Sequence, residues 1–571
     1  MDKDYQKAVF AYARSPDQDS TKPVRRPVII VGAGPVGLAT AIDLAQQNIP
    51  VIVLDDDCTL STGSRAICFA KRTLEILDRL GCGERAVEKG VSWNVGKIFF
   101  RDEMVYEFDL LPEAGHRRPA FINLQQYYVE GYLFDRAAEL PLVDMRWMNK
   151  VTGVVQNVDY VELTVQTPDG EYQLQCDYVV AADGARSPVR NFCGLESKGQ
   201  TFRDRFLIAD VKMKAAFPSE RWFWFDPPFH PNQSVLLHRQ PDNVWRIDFQ
   251  LGWDADPVTE KQPEKVIPRI KALLGEDAEF ELEWVSIYTF SCLRMEKFRH
   301  GRIFFAGDSA HGVSPFGARG ANSGVQDAEN LAWKLKLVIE GKAPDALLDS
   351  YGQEREYAAD ENLLNSTRAT DFITPKSEVS LGFRNATLRL SKNFEFARRL
   401  VNSGRLSRPA MLSNSALNTP DQETFSGNML PGAPVEDAPV ALNGKACWLI
   451  PLTGNVFTGI YFHDAHQTAD KTLEVLQELM NEFIPVKPLV VVPQGPIPTS
   501  LTGFTVIQDS RGLIAQRYDM QPGTFYLVRP DQHVCARWRK FDPIAVRGAL
   551  MRATQNLNDT SSTLARATCA A

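Results

Sequence analysis

The sequence predicts an α/β protein, and three observations predict it. A β-branched run at 27–31 enters the glycine turn GAGPVG, continues into helical spacing to about Gln47, and returns as a second strand at 51–54. Two strands joined through a helix in this way lie parallel, since a hairpin cannot connect them. A second apolar run, RIFFA at 302–306, enters the glycine cluster GDSAHGVSPFGARGANSG at 307–324 and leaves into helix-spaced residues from Val325. Between the two, strand-like segments dominate from 202 to 290: FLIADVKM, RWFWFD, SVLLHRQ, VWRIDFQL and EFELEWVSIYTF. A mixed sheet is therefore inserted in the chain of a first, parallel-sheet domain, which resumes at Gly301.

Size and composition bound the rest. With 571 residues several domains are expected, at roughly 150 residues each. Hydrophobic residues make up 44% and charged residues 23%, which allows ample core. A net charge of −8 argues against broad nucleic-acid binding, which needs a basic face. The start Met-Asp-Lys-Asp-Tyr lacks a basic n-region and an apolar core. No apolar run reaches the ~18 residues that span a bilayer, so a cytoplasmic protein without a membrane partner is expected. The nine cysteines, at 58, 68, 82, 176, 193, 292, 447, 535 and 569, form no CxxC and no metal-ligand spacing. Reduced thiols and no metal site follow.

Taken in order, residues 1–26 are polar and read as an N-terminal extension. Residues 64–80, with Ile67, Thr73, Leu74 and Leu77, have helical spacing, as do 125–138. VELTVQT and YQLQCDYVVAAD, within 150–183, alternate as antiparallel strands. Residues 376–429 form a helical linker region. LPGAPVEDAPV at 430–440 opens a separate small αβ domain, 430–557, with a strand at 446–451, a helix at 469–483 and a final helix near 543–555. A frayed tail, 558–571, ends the chain.

The motifs carry chemistry. In GAGPVG, Gly32 permits a tight turn, Gly34 lets backbone approach a pyrophosphate, and Gly37 allows close helix–strand packing. Pro35 and Val36 complete the turn, and the helix start presents free N–H groups to phosphate. Asp55 ends the next strand, 18 residues after Gly37, where a carboxylate can accept both hydroxyls of a ribose. NAD and FAD both fit this unit. Another strand ends in Asp183-Gly184, followed by Ser187 and Arg190. Asp308 closes the RIFFA strand, where it can accept hydrogen bonds from a polyol chain, and the loop and helix start beyond it offer N–H groups.

GxGxxG, an acid, Arg65 in SRAICFAKRTLEIL, Gln126 ahead of Glu130, Asp183-Gly184 and AGDSAH at 306–311 occur in that order. In this set the chain resembles, over about 27–370, the single-component FAD-dependent aromatic hydroxylases, a group that includes para-hydroxybenzoate, phenol and 3-hydroxyphenylpropionate hydroxylases. The resemblance implies a Rossmann-like FAD-binding domain (about 27–90, 120–200 and 295–375) interleaved with a mixed-sheet substrate domain (about 91–119 and 201–294). It implies a thioredoxin-like C-terminal domain at 430–557, which has no CxxC and so serves structure or a homodimer interface. FAD is then the cofactor, with NADH or NADPH as co-substrate. The resemblance places Arg65 near the pyrophosphate, Gln126 on the cofactor, Asp183 at the cofactor and nicotinamide approach, and Asp308 on the ribityl chain. It places Gly320 and the Asn322 backbone N–H at the flavin. Arg319 stands where many relatives have Gln and the hydroxybenzoate enzymes have Lys, and it is expected to add positive potential there, with a surface ion pair as the alternative.

The implied chemistry is hydroxylation of a phenolic ring with O2 through a flavin C4a-hydroperoxide. Deprotonating the phenol makes the ring electron-rich, so a proton acceptor is expected. His238, Asp248, Tyr288 and His311 are candidates by position, and the resemblance brings the Pro315 carbonyl near the substrate hydroxyl. Asp248 can instead pair with Arg246 or Arg239, and Arg239, Arg246 or Arg294 can bind a carboxylate. A related oxidase or halogenase remains an alternative, although RWFWFD does not supply the WxWxIP of a halogenase. So does a binding protein on the same fold, like the GDP-dissociation inhibitors.

Overall fold

The computed structural model describes residues 5–61, 65–215, 217–401, 407–463 and 470–556. It divides into two compact units: Met1–Pro112 with Arg118–Ala328 and Ala359–Arg408, and Glu113–Arg117 with Glu329–Ala358 and Pro409–Ala571.

The first unit is built on two large sheets. One runs in the order Arg299–His300, Ile303–Phe305, Gly170–Ala181, Val24–Val31, Val51–Leu54, Val143–Arg146, with Val161–Thr167 and Lys150–Gln156 continuing from Gly170–Ala181. Its centre is parallel, and the registers Val31↔Ala181, Val31↔Leu54 and Ala181↔Phe305 bring three strand ends level with the first. The strand cores are buried on both faces, which is why VIIV and VIVL are unbroken apolar runs rather than alternating ones. Helix Pro35–Gln46 packs on this sheet.

The second sheet has eight strands in the order His311–Gly312, Glu281–Met295, Ser197–Lys212, Val244–Leu251, Ser234–Arg239, Arg221–Phe225, Val95–Phe100, Glu103–Asp109. It is antiparallel except where Arg221–Phe225 runs beside Val95–Phe100. Alternation splits RWFWF between two faces: Phe223 and Phe225 pack with Phe206, Phe290 and Phe316, while Trp224 packs with Trp245 and Phe249. The expected α/β class and the interleaved mixed sheet are both present.

Several boundaries differ from the sequence reading. The helix expected over 64–80 begins at Lys71, because Cys68–Ala70 instead pairs with Phe121–Asn123 as a short strand. Residues 62–64 lie outside the described set. The first strand starts at Val24, not 27, pairing with Leu174. The segment before it is docked, not free. Tyr5 fills the space beside Gly131, where a Cβ would meet its ring at 2.3 Å, and its hydroxyl donates to Asp135 at 2.5 Å. The Phe10 N–H donates to the Cys58 carbonyl at 2.7 Å, and its ring stacks on Trp147 at 4.3 Å. Asp17 is buried between Arg26 and Arg146, at 2.8 and 2.6 Å. Helix Asp349–Ile373, which the sequence reading did not single out, follows Gly320–Ile339. In the linker region, helices Glu378–Ser391 and Glu395–Leu400 are described, and 402–406 are not.

The second unit holds a seven-stranded sheet, ordered Lys445–Trp448, Pro439–Leu442, Thr505–Asp509, Val486–Pro493, Phe457–Phe462, Phe525–Val528, Val534–Trp538. The strand expected at 446–451 stops at Trp448, since Ile450–Leu452 turns as 3₁₀ helix. The helices expected at 469–483 and 543–555 are Asp470–Leu479 and Pro543–Ala553. Cys447 and Cys535 sit on the two opposite edge strands and are free thiols. The tail 558–571, with Cys569, lies outside the described residues. Among those described, no helix is long and apolar enough to cross a membrane.

Candidate active site

The level strand ends of the parallel sheet deliver Gly32, Asp55, Ala182 and Ala306 to one edge, where an open α/β sheet forms its ligand crevice. A single cavity of about 740 Å³ starts there and extends to the second sheet, all within the first unit.

The glycine turn is fixed by geometry. Gly32 has φ +105°, and a Cβ on it would lie 2.4 Å from the Ala182 carbonyl oxygen. A Cβ on Gly37 would lie 1.9 Å from the Gly32 carbonyl oxygen. At Gly34 a Cβ would meet nothing within 4 Å, so this glycine borders open cavity. Gly34 is also the N-cap of Pro35–Gln46 and places no side chain over the helix start. The first-turn N–H groups therefore remain available, with the positive end of the helix dipole. Val36 is the hinge pin between the two glycine turns, since Cβ atoms on Gly307 and Gly324 would meet its Cγ2 at 2.8 and 2.6 Å.

The carboxylates differ in their tasks. Asp55 accepts from the Ala33 N–H at 2.6 Å and the Asp57 N–H at 2.9 Å, closing the first glycine turn. Burial pushes its carboxyl up to about 6 despite those bonds. Asp183 accepts from the Val189 N–H at 3.0 Å through Oδ2, while its buried Oδ1 has no partner among the described residues. Asp308 lines the cavity, and desolvation there raises its carboxyl above the usual range. Gln126 accepts from the Ala66 N–H at 3.0 Å and donates to Ser61 and Glu130, at 3.2 and 2.8 Å, pinning the loop that carries the exposed Arg65.

The second glycine turn is locked by Asn322. Its Oδ1 accepts from the Ala70 N–H and the Thr73 hydroxyl at 2.8 and 2.6 Å, and its Nδ2 donates to the Cys68 and Ala318 carbonyls. Helix Gly320–Ile339 starts at the cavity wall beside Asp308. Arg319 is buried and donates to Asn362 at 3.2 Å. The Pro315 carbonyl, expected at a substrate hydroxyl, accepts from the Gly317 and Ala318 N–H groups at 2.8 and 3.0 Å. Those bonds close the turn, and Pro315 lines the cavity. His311 is directed away: its Nε2 lies 2.6 Å from Asp327, which also accepts from the Gly307 N–H, and neither residue lines the cavity.

At the sheet end the wall is apolar, with Ile208, Leu236, Phe290 and Phe316, and is punctuated by His238, Asp248, Tyr288, Arg246 and Arg221. Burial, with Arg221 and Arg246 nearby, holds His238 well below its usual range, so it is neutral. Asp248 does not pair with Arg246, which instead gives Nε and Nη2 to Asp210, both at 2.8 Å. Among the described residues the buried Asp248 Oδ1 has no partner, and burial raises the carboxyl to about 7. Arg239 reaches Ser219 and lies over Trp245, and Arg294 pairs with Asp360 at 2.5 Å. Arg221 escaped the sequence reading, because only the register Arg221↔His238 shows which way it faces.

The residues present fit a flavin dinucleotide: an uncapped helix start, an orphaned Asp183 oxygen and two interlocked glycine turns lie on one cavity. Comparison with known proteins agrees. Residues 25–366 match a family model described as FAD binding domain. The chain is 35% identical over 340 residues to a probable NADH-specific resorcinol 4-hydroxylase of Rhodococcus jostii, covering 58% of this chain and 62% of that protein. It is 31% identical over 353 residues to a 3-(3-hydroxyphenyl)propionate/3-hydroxycinnamic acid hydroxylase of Klebsiella pneumoniae, covering 61% and 62%. The match thus spans less than two thirds of either relative. A flavin-dependent monooxygenase solved with FAD and substrate shares the fold with a TM-score of 0.77 at 20% identity, covering 94% of this chain and all of that one.

Proposed function

The chain belongs to the family of single-component FAD-dependent aromatic hydroxylases, and from that premise we propose that it is an NAD(P)H-dependent monooxygenase that hydroxylates a phenolic ring. One observation carries the reading: a single cavity joins the open helix start at Gly34 to an apolar wall that holds Asp248. The chemistry supplied by FAD when bound is hydride acceptance from NADH or NADPH and delivery of one oxygen atom of O2 to the ring.

In this reading Gly32, Gly34, Pro35, Val36 and Gly37 cradle the pyrophosphate with Arg65, and Asp55 takes the adenosine ribose. Gln126, Asp183 and Asp308 hold the middle of the cofactor, and Arg319, Gly320 and Asn322 form the wall at the ring system. Ile208, Leu236, Phe290 and Phe316 exclude water and bracket the aromatic substrate. Asp248 is the proton acceptor, because its carboxyl titrates near neutral pH and its Oδ1 is free. His238 is too weak a base, and Tyr288 serves as a wall residue. A homodimer belongs to the same reading.

The test is NADH and NADPH oxidation by the FAD-loaded protein across phenols, hydroxybenzoates, hydroxyphenyl acids and resorcinols. The expected result is strong stimulation by one class, with one hydroxylated product per O2 consumed. FAD-loaded protein that no phenol stimulates would refute the proposal. Sedimentation of the same sample reads the oligomeric state.

A further inference from the structure

Helix Glu378–Ser391 has its polarity reversed. Its buried face is Arg384, Thr387, Leu388 and Ser391, at the i, i+3, i+4, i+7 spacing of a core-facing stripe. Its outer face carries Val379, Leu381, Phe383 and Leu390, with Val379 83% and Phe383 58% exposed. A helix that served only the core would be turned the other way. The next helix, Glu395–Leu400, continues the feature. It buries Ala397 and exposes Phe396 and Leu400, and the exposed Phe394 at its N-cap lies 5.8 Å, ring to ring, from Phe396. The Phe394 N–H donates to the Leu390 carbonyl at 2.9 Å, so the two stretches adjoin. Of the 21 large apolar side chains exposed among the described residues, seven fall between 379 and 400. This is a patch, not the single scatter that is normal for a surface.

Charge indicates what covers it. Residues 376–400 hold six Lys and Arg and two Glu, a net +4 in a chain of −8. Lys376, Arg389, Lys392 and Arg399 are exposed. Three of these rest on exposed acids, Asp371, Glu103 and Glu395, at 2.7, 3.0 and 2.7 Å. Such pairs are weak in water and exchange readily. Counting Asp371 and Glu103, the two acids from outside the segment, still leaves +2. A second copy docked about a two-fold axis would set this positive face against itself. Phe, Leu and Val on the outside of short helices, interspersed with Lys and Arg, instead match the headgroup layer of an anionic bilayer. The expectation of no membrane partner rests on the lack of a spanning run, and docking on a surface needs none.

We propose that helices Glu378–Ser391 and Glu395–Leu400 form a peripheral docking face for an anionic lipid surface. Phe383, Phe394 and Phe396 enter among the headgroups, and Arg389, Lys392 and Arg399 meet the lipid phosphates. The inference is independent of which ring the cavity takes.

The experiment sediments the FAD-loaded full chain with phosphatidylcholine vesicles that contain phosphatidylglycerol, and with phosphatidylcholine vesicles alone. The wild-type protein is expected to bind the anionic vesicles roughly 10- to 100-fold more tightly, each cation contributing roughly fivefold at such a surface. Added salt is expected to weaken that binding. The triple variant Phe383→Ser, Phe394→Ser, Phe396→Ser is expected to bind roughly 100-fold more weakly, with unchanged FAD content and melting temperature because the three rings stand in solvent. Should it melt lower, Arg389→Gln with Lys392→Gln decides: loss of the anionic preference supports the proposal, and a retained preference overturns it. Wild-type protein that binds neither vesicle, or both equally, overturns it without any variant. A stable triple variant that binds as the wild type does overturns it too, since another surface then holds the lipid. Wild-type protein that ignores vesicles and sediments as a dimer, which the triple variant dissociates, gives the face to a second copy.

Discussion

Gly37→Ala is expected to yield protein that neither retains FAD nor keeps the wild-type melting temperature. The added Cβ would sit 1.9 Å from the Gly32 carbonyl oxygen, 3.1 Å from its carbon and 3.3 Å from Ile30 Cγ2. Two of the three are backbone atoms of a turn whose φ of +105° is itself constrained, so no flexible side chain can yield. Helix Pro35–Gln46 must move off the sheet, taking its N-terminal N–H groups with it. Overpacking of this kind costs about 1–3 kcal/mol, and the displaced helix start weakens FAD binding further. Gly34→Ala is the control, since its Cβ would meet nothing within 4 Å and its φ of −72° suits alanine. That variant should melt as the wild type does and lose FAD affinity only. Flavin absorbance per polypeptide after gel filtration, with apoprotein melting curves, separates the two. A Gly37→Ala protein that melts like the wild type would show that the turn relaxes at no cost.

Asp248→Asn is expected to lower kcat by roughly 10²- to 10⁴-fold, the usual contribution of a positioned base. The pH profile gives the finer test. Burial raises the Asp248 carboxyl to about 7, with Arg246 and Arg221 lowering it and Asp210 raising it. On the cavity side it shares the wall with His238, Cys68 and Tyr288. Below pH 7 the carboxyl holds its proton and cannot take another. Wild-type kcat should therefore climb about tenfold per pH unit and level off above 7, while the variant stays flat. Stability runs the other way. In the unfolded chain this carboxyl ionises near its ordinary value of 3.8, in the folded protein near 7. Its contribution to stability is thus complete below about 4 and is lost as pH rises to 7. Asp248→Asn, which cannot ionise, should gain melting temperature relative to wild type at pH 8 and less at pH 5. A variant that is slow but keeps the wild-type pH profile would assign the proton to another group.

The glycine-turn end of the cavity was legible because its signals are local. The spacing of GAGPVG, Asp55, Asp183-Gly184 and AGDSAH encodes a turn, a strand end or a helix start, and the parallel registers then bring these together without further information. The substrate end is a matter of pairing across the chain. Arg246 and Asp210 are adjacent only through the register of Val244–Leu251 on Ser197–Lys212, so their mutual neutralisation does not follow from spacing. His311 was drawn toward the site by its place in AGDSAH, yet Asp327, sixteen residues away, claims it. ICFA reads as the start of a helix because Cys68–Ala70 is too short to show alternation, and only its pairing with Phe121–Asn123 makes it a strand.

The docked N-terminal segment separates two boundaries that are easily taken for one. Shared ancestry, as the family match defines it, begins at residue 25. The packed structure begins earlier, with contacts from Tyr5, Phe10 and Asp17. A domain cut at that border would strip Phe10 from Trp147, a residue of the cavity wall beside Asp55, and would leave Arg26 and Arg146 without Asp17. It would also free the stretch around Cys58 from the Phe10 hydrogen bond and open a groove where Tyr5 lies on Gly131. For anyone engineering this chain, residues 5–24 ahead of the family match back the cavity wall through Trp147, and fusions or truncations there reach the cavity itself.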